Sequence, residues 1–316
     1  MTRGPRVLVT GASGFAGRHL APALQTGLPG AVAIQFGGPR STGLPPLDVT
    51  NEAAAAEAVA SARPDMVVHL AGQADVAAAN ADPDAALRTN AGGTRAMAEA
   101  VLAHAPDALF LAISSSEVYG DSLAGGRPTP ETAPLKPVSA YARSKAAAEA
   151  AVMDAAARGL HALIARPFNH TGPGQSAAFV APAFAGQVAA IEAGTQPPVM
   201  RVGWLDDVRD FSDVRDIVRG YVLMLAQGRS LAPGTAINLA SGTGRPVRDV
   251  LDGLRRLSTA QFEVAGDPQR QRAARLPAMV GDPALAGRLI GWRGAIAFET
   301  TLADVLAEAR ARTAAR

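Results

Sequence analysis

The stretch Val7-Leu-Val-Thr-Gly-Ala-Ser-Gly-Phe-Ala-Gly17 decides the fold predicted for this chain. It begins with a short apolar run, expected to be a buried strand, and continues at once into glycines at positions 11, 14 and 17. Gly11 permits a tight turn, Gly14 lets a pyrophosphate approach the backbone, and Gly17 lets the next helix pack closely on the strand. The N-terminus of that helix would offer free N–H groups and its dipole to phosphates. The pattern therefore predicts a dinucleotide-binding turn.

Four further apolar runs follow, at 31–34, 66–70, 109–113 and 162–165. They are continuous rather than alternating, which is typical of strands that are buried on both faces. Helix candidates near 14–25, 51–62, 84–104 and 139–158 separate the runs. Strand and helix alternating in this way indicate a parallel sheet with helices on both sides. We predict an α/β fold, a Rossmann doubly wound parallel sheet with a smaller C-terminal α/β substrate lobe.

The boundary of the smaller lobe follows from a change of pattern after Pro167. Prolines at 173, 182, 197 and 198 interrupt the chain, and the predicted elements become short. A helix at 213–227 carries one apolar stripe and is expected to return to the larger lobe. We assign residues 1–168 to the Rossmann domain, which 209–238 rejoins, and residues 169–208 and 239–316 to the substrate lobe.

Composition excludes several kinds of protein. Apolar residues make up 48 % of the chain and charged residues 18 %, which is typical of a globular protein. The formal net charge is +2, and no basic run is interleaved with aromatic residues, so no nucleic-acid partner is predicted. The chain has no cysteine and its five histidines lack ligand spacing, so neither a disulfide nor a metal is predicted. No apolar run approaches about 18 residues, which predicts no membrane partner and a cytoplasmic location.

The end of the second strand bears on the choice between NAD and NADP. An acid commonly stands there to bind the adenosine ribose of NAD, but this chain reads Gln35-Phe-Gly-Gly-Pro-Arg40-Ser41. Arg40 could meet the 2′-phosphate of NADP, so the sequence slightly favours NADPH and leaves NADH open. Asp48 and Val49 could touch the adenine edge, although Asp48 could equally belong to a helix cap.

A tyrosine and a lysine four residues apart form the predicted catalytic pair. Tyr141-Ala-Arg-Ser-Lys145 lies in a predicted helix, so both side chains share one face. The ammonium of Lys145 is expected to lower the pKa of the phenol from about 10, which would make Tyr141 a usable proton donor. Lys145 could also hold the nicotinamide ribose.

The serine-rich end of the fourth strand, Ile113-Ser-Ser-Ser-Glu-Val-Tyr-Gly120, precedes this pair. It offers Ser115 as a hydrogen-bond donor, and Glu117 either as a catalytic base or as an acid that shapes the pocket. Asn90, inside a predicted helix, is expected to bond backbone near the active-site strands. The predicted cofactor-binding set is Gly11, Ser13, Gly14, Phe15, Gly17, Arg40, Asp48, Val49, Leu70, Ala71, Gly72, Asn90, Tyr141, Lys145 and Phe168.

Together the glycine turn, His69-Leu-Ala-Gly72, the Ser-Ser-Glu-Val-Tyr-Gly segment and Tyr141-x-x-x-Lys145 resemble the extended short-chain dehydrogenases/reductases, the NAD-dependent epimerase/dehydratase family. The segment Arg166-Pro-Phe-Asn-His-Thr-Gly-Pro-Gly-Gln175 resembles the branch that acts on GDP-mannose and its 4-keto-6-deoxy derivative. Further segments fit the same branch, especially its reductases: Val208-Arg-Asp-Phe-Ser-Asp-Val-Arg-Asp216, Asn238-Leu-Ala-Ser-Gly242, Gly281-Asp-Pro283 and Gly291-Trp292.

The resemblance implies NAD(P)H-dependent reduction of the C4 ketone of a GDP-4-keto-6-deoxy-mannose to GDP-D-rhamnose, with the proton from Tyr141. It implies a homodimer formed by the helices near 84–104 and 139–158. The catalytic set is Ser115, Glu117, Tyr141 and Lys145, and the substrate-binding set is Ser116, Asn169, Phe179, Val180, Arg209 and Arg272. Arg275 stands where the family carries a glutamate that binds the nucleoside ribose, so a base other than guanine stays open.

Three alternatives stay open at this point. A GDP-mannose 4,6-dehydratase would carry Thr-Ser-Glu where this chain has Ser115-Ser-Glu117, and the compact segment after the second strand resembles the reductases instead. A nucleotide-sugar 4-epimerase would, like the dehydratase, recycle its cofactor. A redox-sensing binding protein could use the same scaffold, but such proteins often lack the tyrosine–lysine pair.

Overall fold

The computed structural model describes residues 4–125, 127–268, 276 and 278–315. The strands in this part of the chain are β1 (Arg6–Thr10), β2 (Val32–Phe36), β3 (Met66–His69), β4 (Leu109–Ile113), β5 (Ala162–Pro167), β6 (His170–Thr171), β7 (Val199–Val202), β8 (Val208–Asp210), β9 (Ser212–Asp213), β10 (Ala236–Leu239), β11 (Gly244–Pro246), β12 (Glu263–Gly266) and β13 (Ala278–Met279). The α-helices are α1 (Phe15–Gly27), α2 (Glu52–Ala62), α3 (Val76–Ala81), α4 (Pro83–Leu87), α5 (Gly93–His104), α6 (Ala140–Ala157), α7 (Val180–Glu192), α8 (Val214–Gln227), α9 (Val247–Leu257), α10 (Ala284–Ile290) and α11 (Phe298–Ala314).

Six strands form one parallel sheet in the order β10-β5-β4-β3-β1-β2. The order along the sheet reverses between β1 and β3, so the connections leave these two strands in opposite directions. The carboxyl ends of β1 and β3 therefore border a crevice, which is where open α/β sheets bind ligands. The predicted doubly wound α/β fold is confirmed.

Each face of the sheet carries its own apolar core. On one face α1 and α8 pack together over side chains that include Leu20, Tyr221 and Trp292. On the other face α2, α5 and α6 cover a core that includes Met97 and Phe110. Burial on both faces explains why the central strands are apolar throughout.

Two elements differ from the sequence-based expectation. Strand β2 was predicted to be buried on both faces, but it lies at the edge of the sheet and Val32 is 51 % exposed, because no further strand pairs along its outer side over its length. The helix predicted at 84–104 is divided: a π-helical turn at Arg88–Gly92 separates α4 from α5. The interruption coincides with Asn90, whose side chain bonds outside its own helix.

The smaller unit is built from α7, α9 and α11, which pack around a third core containing Phe184, Leu254 and Leu306. Three short sheets accompany them, with strand orders β11-β8-β13, β12-β7 and β6-β9. Helix α10 belongs instead to the first core, although its residues fall in the range predicted for the smaller lobe. The division of the chain into two lobes stays a proposal. In the described residues, no helix has the length and apolar character needed to cross a bilayer.

Candidate active site

A cleft of about 810 Å³ opens at the carboxyl ends of β1, β3, β4 and β5. It brings together fourteen of the fifteen residues predicted to bind the cofactor, all except Asn90. The predicted catalytic and substrate residues that also line it are Ser115, Ser116, Glu117, Asn169 and Phe179. Residues from the ends of the parallel strands and from the segment after β5 therefore face one space.

The glycine turn has the shape of a dinucleotide cradle. Gly11 has φ +70°, and a Cβ atom there would lie 2.7 Å from the backbone nitrogen of Ala71. A Cβ atom on Gly17 would lie 2.6 Å from the Cα atom of Ala12, so α1 can approach β1 only with glycine at that position. Helix α1 begins after Gly14 and has no side-chain cap, so its first-turn N–H groups are open to an anion. These residues fit the pyrophosphate of a dinucleotide.

Asn90 acts behind the cleft rather than in its lining. Its Oδ1 atom accepts from the backbone N–H of Gln73 at 2.8 Å, and its Nδ2 atom donates to Ser144 Oγ at 2.8 Å. A Cβ atom on Gly72 would lie 2.6 Å from Asn90 Oδ1, which explains the glycine at the end of this segment. Asn90 therefore holds the β3 loop against α6, as expected for a side chain that bonds backbone near the active-site strands; its contact with a cofactor stays a prediction.

The loop after β2 carries an anion-binding arrangement that the sequence had shown only in part. Arg40 lines the cleft and is exposed. The hydroxyl of the neighbouring Ser41 is buried without a hydrogen-bond partner in the described residues. A Cβ atom on Gly37 would lie 2.1 Å from Ser41 Oγ and 3.2 Å from Ser13 Oγ, so both hydroxyls lie beside Gly37. The guanidinium of Arg40 and the hydroxyl of Ser13 at the cleft, with the Ser41 hydroxyl buried behind them, fit a phosphate group.

Asp48 and Val49 border the same end of the cleft. Asp48 Oδ1 accepts from the backbone N–H and the hydroxyl of Thr50, at 3.0 and 2.7 Å. The helix-cap alternative for Asp48 is wrong, because Asn51 is the residue whose side chain caps α2. Val49 is buried and packs beside Gly93.

Helix α6 places the catalytic pair. Ser139 caps the helix by accepting from the backbone N–H of Ala142 at 2.9 Å. Tyr141 therefore lies in the first turn and Lys145 one turn later on the same face, both at the cleft. The ammonium of Lys145 donates to the carbonyl oxygen of Ile113 at 2.9 Å, which fixes it against the end of β4.

The expected lowering of the Tyr141 pKa by Lys145 is wrong. Burial raises the pKa of Tyr141 to about 12; a hydrogen bond with the Ser115 side chain opposes this rise, and the Glu117 carboxylate adds to it. Lys145 is buried as well, and burial lowers its own pKa to about 8 despite the nearby Glu149 carboxylate. The phenol consequently stays protonated at neutral pH and can donate a proton.

Glu117 lies close to this pair. Burial raises the pKa of its carboxyl, while a hydrogen bond from Ser139 at 3.2 Å and the charge of Arg209 act in the opposite direction. Its backbone N–H donates to Ser115 Oγ at 3.2 Å. The cleft therefore holds a carboxyl group of raised pKa beside the phenol, which is the usual setting of an acid–base residue or of a neutral hydrogen-bond donor.

Several predicted substrate residues are not brought to the cleft wall. The guanidinium of Arg209 forms an ion pair with Asp207, whose carboxylate lies 3.2 Å from Arg209 Nη2. Val180 packs on the third core. Arg272 and the divergent Arg275 lie outside the described residues. Asn169 does line the cleft, and its buried Oδ1 atom has no hydrogen-bond partner in the described residues. That atom is free to accept a hydrogen bond from a ligand.

A buried polar network beneath the cleft was missed by sequence reasoning. Glu149, four residues after Lys145, accepts from Ser114 and makes an ion pair with Arg166 at 2.7 Å. Arg166 also donates to the hydroxyl of Tyr119 at 2.9 Å. The available signal was the recurrence of Tyr141, Lys145 and Glu149 at four-residue intervals on one helix face.

Phe15 and His170 connect α1 to the segment after β5 at the cleft. Their rings stack with centroids 5.9 Å apart and an interplanar angle of 5°. On the same side of the cleft, His19 Nε2 donates a hydrogen bond to the carbonyl oxygen of Pro173 at 2.8 Å. The first turns of α1 are therefore packed directly against the segment that carries Asn169.

Comparison with known proteins places these features in a family. Residues 7–240 match the model of the NAD dependent epimerase/dehydratase family. The chain is 33 % identical to a GDP-6-deoxy-D-mannose reductase of Pseudomonas aeruginosa, over 97 % of this chain and 98 % of that protein. It is 30 % identical to a GDP-mannose 4,6-dehydratase of Sinorhizobium fredii, over 83 % and 78 % of the two chains.

Solved structures of a reductase and of an epimerase superpose on nearly the whole chain. The RMD structure from P. aeruginosa complexed with NADPH superposes with a TM-score of 0.87 at 31 % identity, covering 98 % of this chain and 99 % of that one. A UDP-glucose 4-epimerase of Stenotrophomonas maltophila with bound NAD superposes with a TM-score of 0.85 at 26 % identity, covering 99 % and 100 %. As the sequence predicted, the chain belongs to the NAD dependent epimerase/dehydratase family, whose members are extended short-chain dehydrogenases/reductases that use a nicotinamide dinucleotide.

Proposed function

We propose that this protein reduces the C4 ketone of GDP-4-keto-6-deoxy-mannose to GDP-D-rhamnose, with NADPH as the preferred reductant. One observation carries the proposal: Ser115, Tyr141 and Lys145 converge at the end of β4, in the same cleft as the glycine turn. The likeness to a GDP-6-deoxy-D-mannose reductase over nearly the full length of both chains supports the choice of substrate.

The chemistry assigned to the chain is proton donation and charge stabilisation. Reduced nicotinamide, when bound, supplies the hydride that adds to C4. Tyr141 donates the proton to the ketone oxygen, because its phenol is protonated at neutral pH and lines the cleft beside Ser115. Ser115 donates a second hydrogen bond to the same oxygen. Each such donor, placed where negative charge develops, contributes on the order of 2–4 kcal/mol to lowering the barrier.

Lys145 and Glu117 set the electrostatics around that oxygen. Lys145 would hold the nicotinamide ribose, and its position is fixed by the carbonyl of Ile113. Glu117, with a raised pKa, is suited to donating a hydrogen bond to a sugar hydroxyl while it is protonated. Neither role requires the carboxyl group to remove a carbon-bound proton, in keeping with a reductase.

Recognition of the nucleotide sugar is assigned to the smaller lobe. The unpartnered Oδ1 atom of Asn169 marks a polar contact, and we assign Ser116 to the sugar and Phe179 to the base. Arg209 supports this end of the site through its charge, since its guanidinium is held by Asp207. Arg272 keeps its proposed role at the phosphates; Val180 packs on the third core, so we assign it only to the support of Phe179 at the base pocket.

NADPH is preferred because the loop after β2 offers one cation, Arg40, and hydroxyl groups where an NAD enzyme commonly places an acid. Arg40 at the cleft and the unpartnered hydroxyl of Ser41 suit the 2′-phosphate of NADP. The NADPH in the superposed RMD structure supports this choice.

A GDP-mannose 4,6-dehydratase is the second candidate. It is favoured by Glu117, a half-buried carboxyl group near Tyr141 that could remove a proton from the sugar. The 30 % identity to a GDP-mannose 4,6-dehydratase is consistent with it. This activity, like that of a 4-epimerase, would regenerate the cofactor in every cycle.

The deciding experiment follows NADPH absorbance with freshly prepared GDP-4-keto-6-deoxy-mannose. Oxidation of one NADPH per sugar, abolished in Tyr141→Phe, would establish the reductase. Conversion of GDP-mannose to a 4-keto product without net NADPH consumption would instead establish the dehydratase. If neither sugar reacts, the same assay with other nucleotide-linked 4-keto sugars tests the guanine assignment.

Assembly and location complete the proposal. We propose a homodimer through α4–α5 and α6, the helices that the family resemblance implies; Leu87 on α4 and Met153 on α6 are exposed at 47 % and 48 % and are available to such an interface. Analytical ultracentrifugation would show twice the chain mass, and a monomer at all concentrations would contradict it. The cytoplasmic location stays a prediction, which fractionation of the source cells would test.

A further inference from the structure

A second cavity, of about 620 Å³, lies apart from the cleft and shares no lining residue with it. Its walls come from β9, the start of α8, α10, the segment before α11 and the first residue of α11. Strand β9 pairs with β6, and the backbone N–H of Ser212 donates to the carbonyl oxygen of Asn169 at 2.9 Å. Only this pair of short strands separates the cavity from the segment that lines the cleft.

The cavity carries three arginines that the protein does not neutralise. Arg245, Arg288 and Arg293 line it, and across residues 4–125, 127–268, 276 and 278–315 their side chains make no hydrogen bond or ion pair. The guanidinium of Arg245 lies 4.8 Å from the centre of the Phe298 ring. This stacking orients the guanidinium while leaving its N–H groups available to an anion.

The carboxylates in the same wall are already engaged. Asp213 accepts from Arg215 and from Thr301, and its Oδ2 atom lies 2.7 Å from each. Asp216 accepts from Arg219 and from the backbone N–H groups of residues 295 and 296. Asp282 accepts from the backbone N–H of Ala284 at the start of α10. Asp213 and Asp216 are thus paired with arginines outside the cavity lining, whereas Asp282 keeps its charge; among the described lining residues, Arg245, Arg288 and Arg293 are the cations without an acidic partner.

Two further donors face the same space. Helix α11 has 17 residues, and its N-cap, Ala297, provides no side-chain hydrogen bond, so the helix presents uncapped N–H groups and its positive dipole end where Ala297 and Phe298 line the cavity. Ser212, another lining residue, is 7 % exposed, and its hydroxyl has no partner in the described part of the chain. Buried hydroxyl groups are nearly always hydrogen-bonded, so an unpartnered one points to a missing ligand.

We propose that this cavity is a second binding site, which takes the phosphate group of a small phosphorylated metabolite such as a sugar phosphate. Guanidinium groups, a helix N-terminus and a hydroxyl are the donors that proteins combine around a phosphate. The volume is within the range of small-molecule sites, so it accommodates more than an inorganic ion. The site is independent of the reaction proposed above, because none of its residues lines the cleft.

Calorimetric titration of the full chain with inorganic phosphate and with glucose 1-phosphate tests the proposal. The double variant Arg245→Gln/Arg288→Gln should weaken glucose 1-phosphate binding about tenfold or more, since it removes two charged donors. Arg256→Gln is the matched control, because Arg256 is exposed in the last turn of α9 and lines neither cavity. The affinity of Arg256→Gln for glucose 1-phosphate should equal that of the unsubstituted protein.

The variant Arg40→Gln separates this site from the cleft. Binding that is lost in Arg40→Gln but kept in the double arginine variant would place the phosphate in the cleft and overturn the proposal. Absence of saturable binding to the unsubstituted protein would overturn it as well. Equal affinities for inorganic phosphate and glucose 1-phosphate would contradict the binding of a metabolite, since the rest of the cavity would then contribute nothing to the affinity.

Hydrogen exchange supplies a readout that does not depend on activity. Glucose 1-phosphate should protect the amides of residues 298–300, at the start of α11, and leave those of 15–17, at the start of α1, unchanged. Protection of 15–17 alone would contradict the proposal. Ser212→Ala is a milder variant that should weaken binding severalfold, and its melting temperature shows whether the fold is intact.

Discussion

The carboxylate of Glu149 and the guanidinium of Arg166 form a buried ion pair with two hydrogen bonds, of 2.9 and 2.7 Å, that joins α6 to β5 beneath the cleft. Replacing Glu149 by Gln should leave the Arg166 charge buried without a counterion, which typically lowers the free energy of unfolding by about 3–5 kcal/mol. Urea denaturation measures the loss. The double variant Glu149→Met/Arg166→Met should recover much of it, and a loss below about 1 kcal/mol in Glu149→Gln would show that Arg166 is not truly desolvated.

Tyr141→Phe should lower kcat for reduction by about 100- to 10,000-fold, because it removes the proton donor while keeping the ring. Phe cannot donate to the ketone oxygen, but the shape of the cleft is retained. Fluorescence titration with NADPH serves as the control, and the dissociation constant should change little. An enzyme that keeps a tenth or more of its kcat would show that another group donates the proton.

The pH dependence of kcat/KM should show a descending limb near pH 8, set by Lys145. Burial lowers the pKa of Lys145 to about 8, so its ammonium loses the proton as the pH rises through that value. Tyr141, with a pKa of about 12, stays protonated over the same range. Lys145→Arg keeps a positive charge to far higher pH, so the limb should disappear below pH 10 even if the rate is lower. A limb that stays near pH 8 in this variant belongs to another group.

Arg40→Gln should lower kcat/KM for NADPH about 10- to 100-fold and leave that for NADH nearly unchanged, since only NADPH carries the 2′-phosphate that Arg40 would bind. Steady-state assays with both cofactors measure the ratio. Arg256→Gln, on the exposed end of α9, is the control and should alter neither value. If kcat/KM falls by the same factor for NADPH and NADH, Arg40 contributes to the fold of the loop and not to the choice of cofactor.

Acid should destabilise the protein through His69. This histidine is buried against Thr10 and Phe110, and burial lowers its pKa to about 3, with the charge of Lys145 acting in the same direction. Between pH 6.5 and 3 the unfolded chain binds a proton on His69 that the folded chain does not, so the free energy of unfolding falls as the pH falls.

The slope attributable to His69 approaches about 1.4 kcal/mol per pH unit. Denaturation series of the unsubstituted protein and of His69→Asn should therefore converge as the pH is lowered from 6.5 to 4. Burial also lowers the pKa of His170, which contributes equally to both series and cancels in the comparison. Parallel slopes would show that the folded state takes up a proton at His69.

Features that depend on local spacing were predictable from the sequence. The glycines of the first turn and the pair Tyr141 and Lys145 could be placed because turn geometry and the helical repeat fix their relation. Features that depend on burial were not. The direction of the Tyr141 pKa shift, for example, is set by how deeply α6 lies in the molecule, and the four-residue interval carries no information about depth.

The distinction between local spacing and burial also explains the other differences between the sequence-based predictions and the structure. Asn90 was expected to bond backbone near the active-site strands and does so at Gln73, but the π-helical turn at this position and the bond with Ser144 were not predictable from local spacing. Arg209 was assigned to phosphates by its motif, yet a carboxylate two residues earlier holds it. Ser41 and the network around Glu149 were overlooked because serine and glutamate are common, and their burial alone makes them informative.

The separation of the proton-donating groups from the short strands of the smaller lobe has a consequence for evolution. Tyr141, Lys145 and Ser115 rest on the central sheet and α6, whose underside is locked by the Glu149–Arg166 pair. The surface assigned to the sugar nucleotide is assembled largely from the loops around β6, between β5 and α7, with Arg209 on the three-residue strand β8. Mutations can therefore accumulate in those loops and change which sugar is accepted while the reaction itself is inherited intact.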